Sequence, residues 1–275
     1  MREKHKIEVG KLVLGGFFFA IILCYVFPLY WMFSSSFKTV REIVRIPPTL
    51  WPHLLSVEGY IEAWRPIWVR FFINSFIYAG GSVVISIFTS SLIGFVIVTY
   101  PSKIGTILSW SAICLIMIPY TILIIPLYLL IIKLHLLNSY LGMIAPRMVY
   151  PFGIFFIQLA MRSIPRDLID AAKIDGCAPL GIYWRVVFPL LGTSLAALAT
   201  LEFVWRWNEL LWPLIVASTE KLFPITVALA SLIDPYFIEF DQYLAACVIV
   251  VTPILIIFLS LQKFFVKGIT ITGMK

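Results

Sequence analysis

The sequence predicts an all-α, polytopic membrane protein of six transmembrane helices, and three observations carry that prediction. Hydrophobic residues make up 61% of the 275 and charged residues only 13%, against about 45–50% and about 25% in a soluble domain. Mean hydropathy is +0.99. Long runs without charge recur along the chain, so there are too few polar side chains to cover the surface against water. Lipid is the expected solvent over much of it.

A membrane-crossing helix needs about 20 mostly apolar residues. The charge-free runs 12–34, 71–99, 104–132 and 242–262 meet this, 139–161 meets it with Arg147 as its one charge, and 186–219 meets it while holding Glu202, Arg206 and Glu209. The apolar run 222–233 is too short to cross and is expected to be re-entrant or packed on the outer surface. Segment 35–70 holds Pro47, Pro48 and Pro52 and is expected as an extended loop. Pro119, Pro126, Pro146, Pro151, Pro213 and Pro253 are expected as kinks inside helices. The first apolar run has no small-residue cleavage site behind it and is taken as a retained span.

Lys and Arg set the orientation. With the N-terminus inside, inner segments hold 12 of these residues and outer segments 7, and 220–241, where one of those seven stands among four acids, deepens the contrast. Both termini are therefore expected in the cytoplasm: a tail at 1–11, one transmembrane bundle over 12–267, and a second tail at 268–275. The formal net charge of +7 is scattered among loops, without the basic stripe that nucleic acid requires. The four cysteines show no CxxC spacing, His5, His53 and His135 lie far apart, and no catalytic constellation is visible.

The informative polar stretch is 162–190, the longest inner loop. Pro165 suits a helix start, Asp167 and Asp170 suit the positive end of its dipole, and Asp175-Gly176 suits a left-handed turn that ends it. A second short helix is expected over about 179–187. This spacing predicts a helix–turn–helix on the inner membrane face, with Ala171 and Ala172 letting another surface approach closely.

Asp170-Ala171-Ala172, Asp175-Gly176 and Phe188-Pro189-Leu190 together resemble the EAA loop of ABC importer permeases. Further matches follow in order: Ser36-Phe37-Lys38-Thr39, Asn74-Ser75, Trp207-Asn208-Glu209, Trp212-Pro213-Leu214 and the run 262–268. The set resembles the shorter, six-helix partner in maltose-transporter-type sugar permeases, with departures at Asp170 (usually Glu), Cys177 (usually Ala) and Thr193 (often Pro). The resemblance implies a type I ABC importer permease fold in a prokaryotic plasma membrane. It implies a second, homologous permease, two ATPase subunits that bind the ATP and Mg, and an external solute-binding protein. This chain itself would be non-catalytic and hold no cofactor. Asp170, Ala171, Ala172, Asp175 and Gly176 would couple ATP binding to opening of the path, and segments 35–70 and 220–241 would meet the binding protein.

Charges at membrane depth face a cavity or each other. Glu202, Arg206 and Glu209 are spaced by four and three, so they share a helix face and can pair along it. Two readings stand: a ladder that braces the bundle, or a polar lining of the solute path shared with Asn208, Asn74 and Arg147. Trp64, Trp68, Trp205, Trp207 and Trp212 either stack on sugar rings or anchor the membrane interface. A glycerol 3-phosphate importer and an ion-coupled secondary transporter remain as alternatives to a sugar importer, as does, more remotely, a membrane-embedded enzyme.

Overall fold

The computed structural model describes residues 2–233 and 239–273, and among these every regular element is helical. The helices are α1 (Arg2–Ser35), α2 (Val40–Ile43), α3 (Glu58–Ala63), α4 (Trp68–Thr99), α5 (Lys103–Met117), α6 (Tyr120–Lys133), α7 (Tyr140–Ile144) and α8 (Pro151–Met161). They continue with α9 (Arg166–Ile174), α10 (Pro179–Ile182), α11 (Phe188–Leu190), α12 (Gly192–Trp207), α13 (Leu211–Val216), α14 (Ile225–Ala230) and α15 (Phe240–Gly273). Three stretches are single helices long and apolar enough to cross a membrane: Leu14–Ser35, Trp68–Thr99 and Phe240–Ser260. Three bent pairs pass the same test together, and taking each pair as one span gives six.

Three of the six expected spans are each bent between two helices. In 104–132, α5 and α6 meet at 108°. Pro119 is not a kink inside a helix but the residue that opens α6, and it pushes Ile118 into extended backbone at ψ 118°. In 139–161, a 45° break precedes α8, whose first residue is Pro151. Proline fits there because its missing N–H has no intrahelical partner to lose. In 186–219, α12 ends at Trp207, where the Asn208 side chain turns back to donate to the Val204 carbonyl at 2.8 Å. The segment Pro179–Leu190 enters α12 at 75°. Pro126 and Pro253 do lie within helices, as expected.

The chain divides into two compact units, Met1–Arg65 with Ser231–Thr252, and Pro66–Ala230 with Pro253–Lys275. In the first, residues 14–33 are exposed or half-buried, as in a helix facing lipid or another subunit, while Ser34 and Ser35 at its end are buried. The segment after it is not wholly extended. Helices α2 and α3 flank a proline-bearing coil, tied back by Tyr30 Oη donating to the Leu50 carbonyl at 3.0 Å and the Ser56 amide to that of Phe37 at 2.9 Å. Gly59 lies so close to the Asp241 backbone that a Cβ there would sit 2.6 Å from its oxygen.

The second unit is built around α4, which packs mainly against α8 and α12. Gly94, Ser82, Ser86, Ser90 and Ser91 keep its inward side small. Without a hydrophobic drive between helices in lipid, such residues let backbones meet. A Cβ on Gly94 would lie 2.8 Å from Ile157, and one on Gly153 2.6 Å from Ser90. Helix α14 in the short run 222–233 is inward-facing, with Ile225, Val227 and Ala228 buried.

Candidate functional site: a helical lever and a buried ion network

Helix α9 and the turn behind it form as the sequence expects. The Gly176 amide donates to the Lys173 carbonyl and the Cys177 amide to that of Ala172, both at 3.0 Å, while Gly176 takes φ 76°. These paired bonds with a left-handed glycine are the Schellman ending, which satisfies carbonyls a helix otherwise leaves bare. Nothing crowds the position Cβ would take at Gly176, so the backbone angle alone favours glycine.

The lever is amphipathic. Ile169 and Ala172 are buried with Ile182, Tyr183 and Val187 in one apolar cluster. Ala172 therefore does not face outward as expected; it anchors the helix, because its position follows Ile169 by three residues on the packed side. Asp170, Ala171, Asp175 and Gly176 are exposed. Asp170 accepts from Lys173 at 2.8 Å in an exposed pair, worth little by itself. Exposed on the same lever are Ile174 and Leu180, at 86% and 63%. Sequence reasoning passed over both, although apolar residues off the packed stripe were the available signal.

The second arrangement is a network inside the bundle. Glu202, fully buried, accepts from Ser86 Oγ and lies 3.6 Å from Arg206 Nε. Arg206 donates to Glu209 Oε2 at 2.7 Å. Tyr78 donates to the same oxygen at 2.6 Å, and Arg147 closes on Glu209 Oε1. The Arg147 guanidinium also lies over the Tyr120 ring at 3.8 Å, and Arg206 lies 5.8 Å from the Tyr150 ring. Two cations and two carboxylates cancel. Glu209 sits in the break between α12 and α13, and Arg147 just before the break that opens α8, so the network ties two irregular segments together.

Asn74 and Asn208 do not join it. Asn74 is fully buried, donates to the Lys221 and Phe223 carbonyls at 3.0 and 2.9 Å, and accepts from Tyr140 at 2.6 Å. Asn208 is exposed and caps α12. Among the tryptophans, Trp68, Trp207 and Trp212 are buried in the chain, whereas Trp64 and Trp205 are exposed at 48% and 68%. The segment 220–241, expected on the outer side, includes 234–238, which lie outside the described residues. In segment 35–70, Lys38 is 2% exposed and donates to the Thr49 carbonyl at 2.5 Å. Burial lowers its pKa, against the opposing charge of Glu42.

Helices long and apolar enough to cross a membrane, a self-neutralised ion network and an amphipathic lever are what a permease component of the ABC importer class would present. Residues 86–271 match the family described as "Binding-protein-dependent transport system inner membrane component", and the chain belongs to that family. It is 33% identical to the arabinooligosaccharides transport system permease protein AraQ of Bacillus subtilis (strain 168), covering 100% of this chain and 99% of that one. To the AraQ of Halalkalibacterium halodurans it is 36% identical, with 100% of each covered. To the sn-glycerol-3-phosphate transport system permease protein UgpE of Salmonella typhi it is 31% identical over 94% of this chain and 93% of that one. Its fold is shared with a chain of a bacterial ABC transporter involved in the import of the acidic polysaccharide alginate, at TM-score 0.83 and 20% identity, covering 96% of this chain and 98% of that one.

Proposed function

We propose that this chain forms half of the translocation path of an ATP-driven importer for a neutral oligosaccharide. It would work with a second permease, two ATPase subunits and an external binding protein. The observation that carries the reading is the α9 lever, rigidly seated by Ile169 and Ala172 while Asp170, Ala171, Asp175, Gly176 and Ile174 face outward. An anchored knob of this kind transmits displacement because packed interfaces shift as units between discrete arrangements. ATP and Mg would be held by the ATPase partners, both termini would lie in the cytoplasm, and chemistry would lie outside this chain.

Glycerol 3-phosphate is the second reading, favoured by the likeness to the UgpE protein. It needs a cation for the phosphate. Within this half, Arg147 and Arg206 are both engaged by Glu209, and the network has no net charge. That balance favours a neutral solute. The test is uptake by proteoliposomes holding the four-subunit complex, ATP inside and binding protein outside. Labelled arabinotriose accumulates under the first reading and glycerol 3-phosphate under the second; uptake that persists without the ATPase subunits contradicts both.

A further inference from the structure

Two cavities adjoin where the ends of α4, α5, α8 and α9 meet. One, of about 490 Å³, is lined by Thr99, Met161, Ile164, Ile169, Asp170 and Lys173 among others, and the other, of about 330 Å³, by Ser102, Thr106, Ser109, Trp110 and Gln158. Val98, Pro101, Arg162 and Arg166 belong to both walls. We propose that this double cavity binds the phosphate group of an anionic phospholipid, with Arg162 and Arg166 as its cationic ligands and Gln158 at its floor.

Charge is the first argument. Lys173 is already held by Asp170, but neither Arg162 nor Arg166 has an ion-pair partner among the described residues. Two guanidiniums without an ion pair share the recess with the self-neutralised Asp170–Lys173 pair, which leaves its wall net positive, and planar guanidiniums suit phosphate oxygens.

The floor is the second. Gln158 is 5% exposed, and Ser109 Oγ donates to its Oε1 at 2.8 Å, which turns Nε2 away from Ser109. That nitrogen has no hydrogen-bond partner, and neither has the buried Thr99 Oγ1. Buried donors left unpaired are costly, and both residues line the recess, where a phosphate oxygen would accept from them.

The third argument separates a lipid from free phosphate. Ile104, Ile107 and Trp110 run along α5 beside the recess, 70%, 63% and 63% exposed. A phosphate ion gains nothing from an apolar ridge, whereas acyl chains bury it, and tryptophan at a membrane interface suits the headgroup level. Thr99 ends its helix, Lys103 and Arg166 begin theirs, and Met161 ends another, so the recess lies at one bilayer surface. That this surface is the cytoplasmic one rests on the orientation proposed above; the site itself does not.

The test uses the full importer complex in nanodiscs of equal parts phosphatidylglycerol and phosphatidylcholine, with bound lipid counted by native mass spectrometry. Each basic residue is worth roughly fivefold in affinity for an anionic headgroup. Arg162→Gln with Arg166→Gln is therefore expected to lower phosphatidylglycerol retention by more than about tenfold, while the paired Arg→Lys variant keeps most of it. Inorganic phosphate added to the wild type is expected to displace no lipid. Equal retention in the Gln variant, displacement by inorganic phosphate, or loss of an ATPase subunit with lipid retention intact each overturns the proposal. Should the Gln variant fail to assemble, Gln158→Leu is read instead: several-fold weaker retention is expected, and none overturns the site. Retention is counted without transport, so its failure is separable from failure of the importer reading.

Discussion

Arg147 and Glu209, 62 residues apart, meet as a buried ion pair while the same guanidinium lies 3.8 Å over the Tyr120 ring. Glu209 is thereby the shared acceptor for Arg147, Arg206 and Tyr78. Removing it strands two cations in a poorly solvated place, and breaking a buried pair from one side costs about 3–5 kcal/mol. Glu209→Ala is expected to lower the melting temperature of the purified complex and to abolish uptake. Tyr78→Phe, which removes one neutral donor, costs about 1 kcal/mol. Thermal melting of the two variants checks the ordering, and equal losses would refute the shared-acceptor role.

Ser86 is the hydroxyl that Glu202 accepts from inside the bundle. Ser86→Ala leaves a fully buried carboxylate with a weakened shell and is expected to destabilise by about 1–3 kcal/mol. Ser86→Thr keeps the hydroxyl and is expected to fall closer to wild type. Denaturation of both in the same detergent decides it.

At Gly176 the constraint is the backbone angle, since the space around it is open. A residue with a Cβ pays roughly 1–2 kcal/mol in the left-handed region, and asparagine less. Gly176→Asn is expected to retain uptake, Gly176→Val to reduce it, and Gly176→Pro to abolish it while the complex still inserts. Uptake at the wild-type rate in Gly176→Pro would contradict the lever.

Asn138 also has a positive φ, 52°, and its Oδ1 accepts from the Ser218 amide at 3.0 Å and the Thr219 amide at 3.2 Å. Asn138→Ala loses both acceptance and backbone preference and is expected to cost about 2 kcal/mol. Asn138→Asp keeps both and is expected to be near neutral by thermal melting.

In segment 35–70, burial works against the Glu42 charge, but hydrogen bonds from the His53 amide at 3.0 Å and the Thr49 hydroxyl at 2.8 Å overcome it, aided by the charges of His53 and Lys38. The net effect holds its pKa below the usual carboxylate range. The unfolded segment then binds the proton more readily than the folded one. Glu42 contributes stability above its unfolded pKa of about 4.3, and the contribution is lost as pH falls through the lower folded value. Hydrogen exchange of the coil after α2, corrected for intrinsic rate, is expected to show less protection under acid in wild type. In Glu42→Gln that acid dependence disappears.

The parts legible in the sequence were those fixed by near neighbours. Pro165, Asp167 and Gly176 marked both ends of α9 because caps and left-handed turns are local, and the spacing of Glu202, Arg206 and Glu209 gave their pairing for the same reason. Arg147 was visible as a costly charge, yet nothing local says that its partner is Glu209. Ala172 was read outward because its size permits contact, whereas the packing of Ile169 decides which way the helix faces. Pro119 and Pro151 were read as kinks, since hydropathy runs straight through them; only the backbone shows that each opens a new helix. Asn74 looked like a polar lining residue until its three partners on other segments were seen.

The account depends on α9 and its turn lying at the cytosolic surface against an ATPase. Cys177, half-buried behind Gly176, reports this when Cys24, Cys114 and Cys247 are replaced by serine. A membrane-impermeant maleimide is expected to label it in inside-out vesicles, more slowly when the ATPase subunits are present, and not in intact cells. Labelling from outside intact cells would place the lever on the wrong side of the membrane and contradict the importer mechanism.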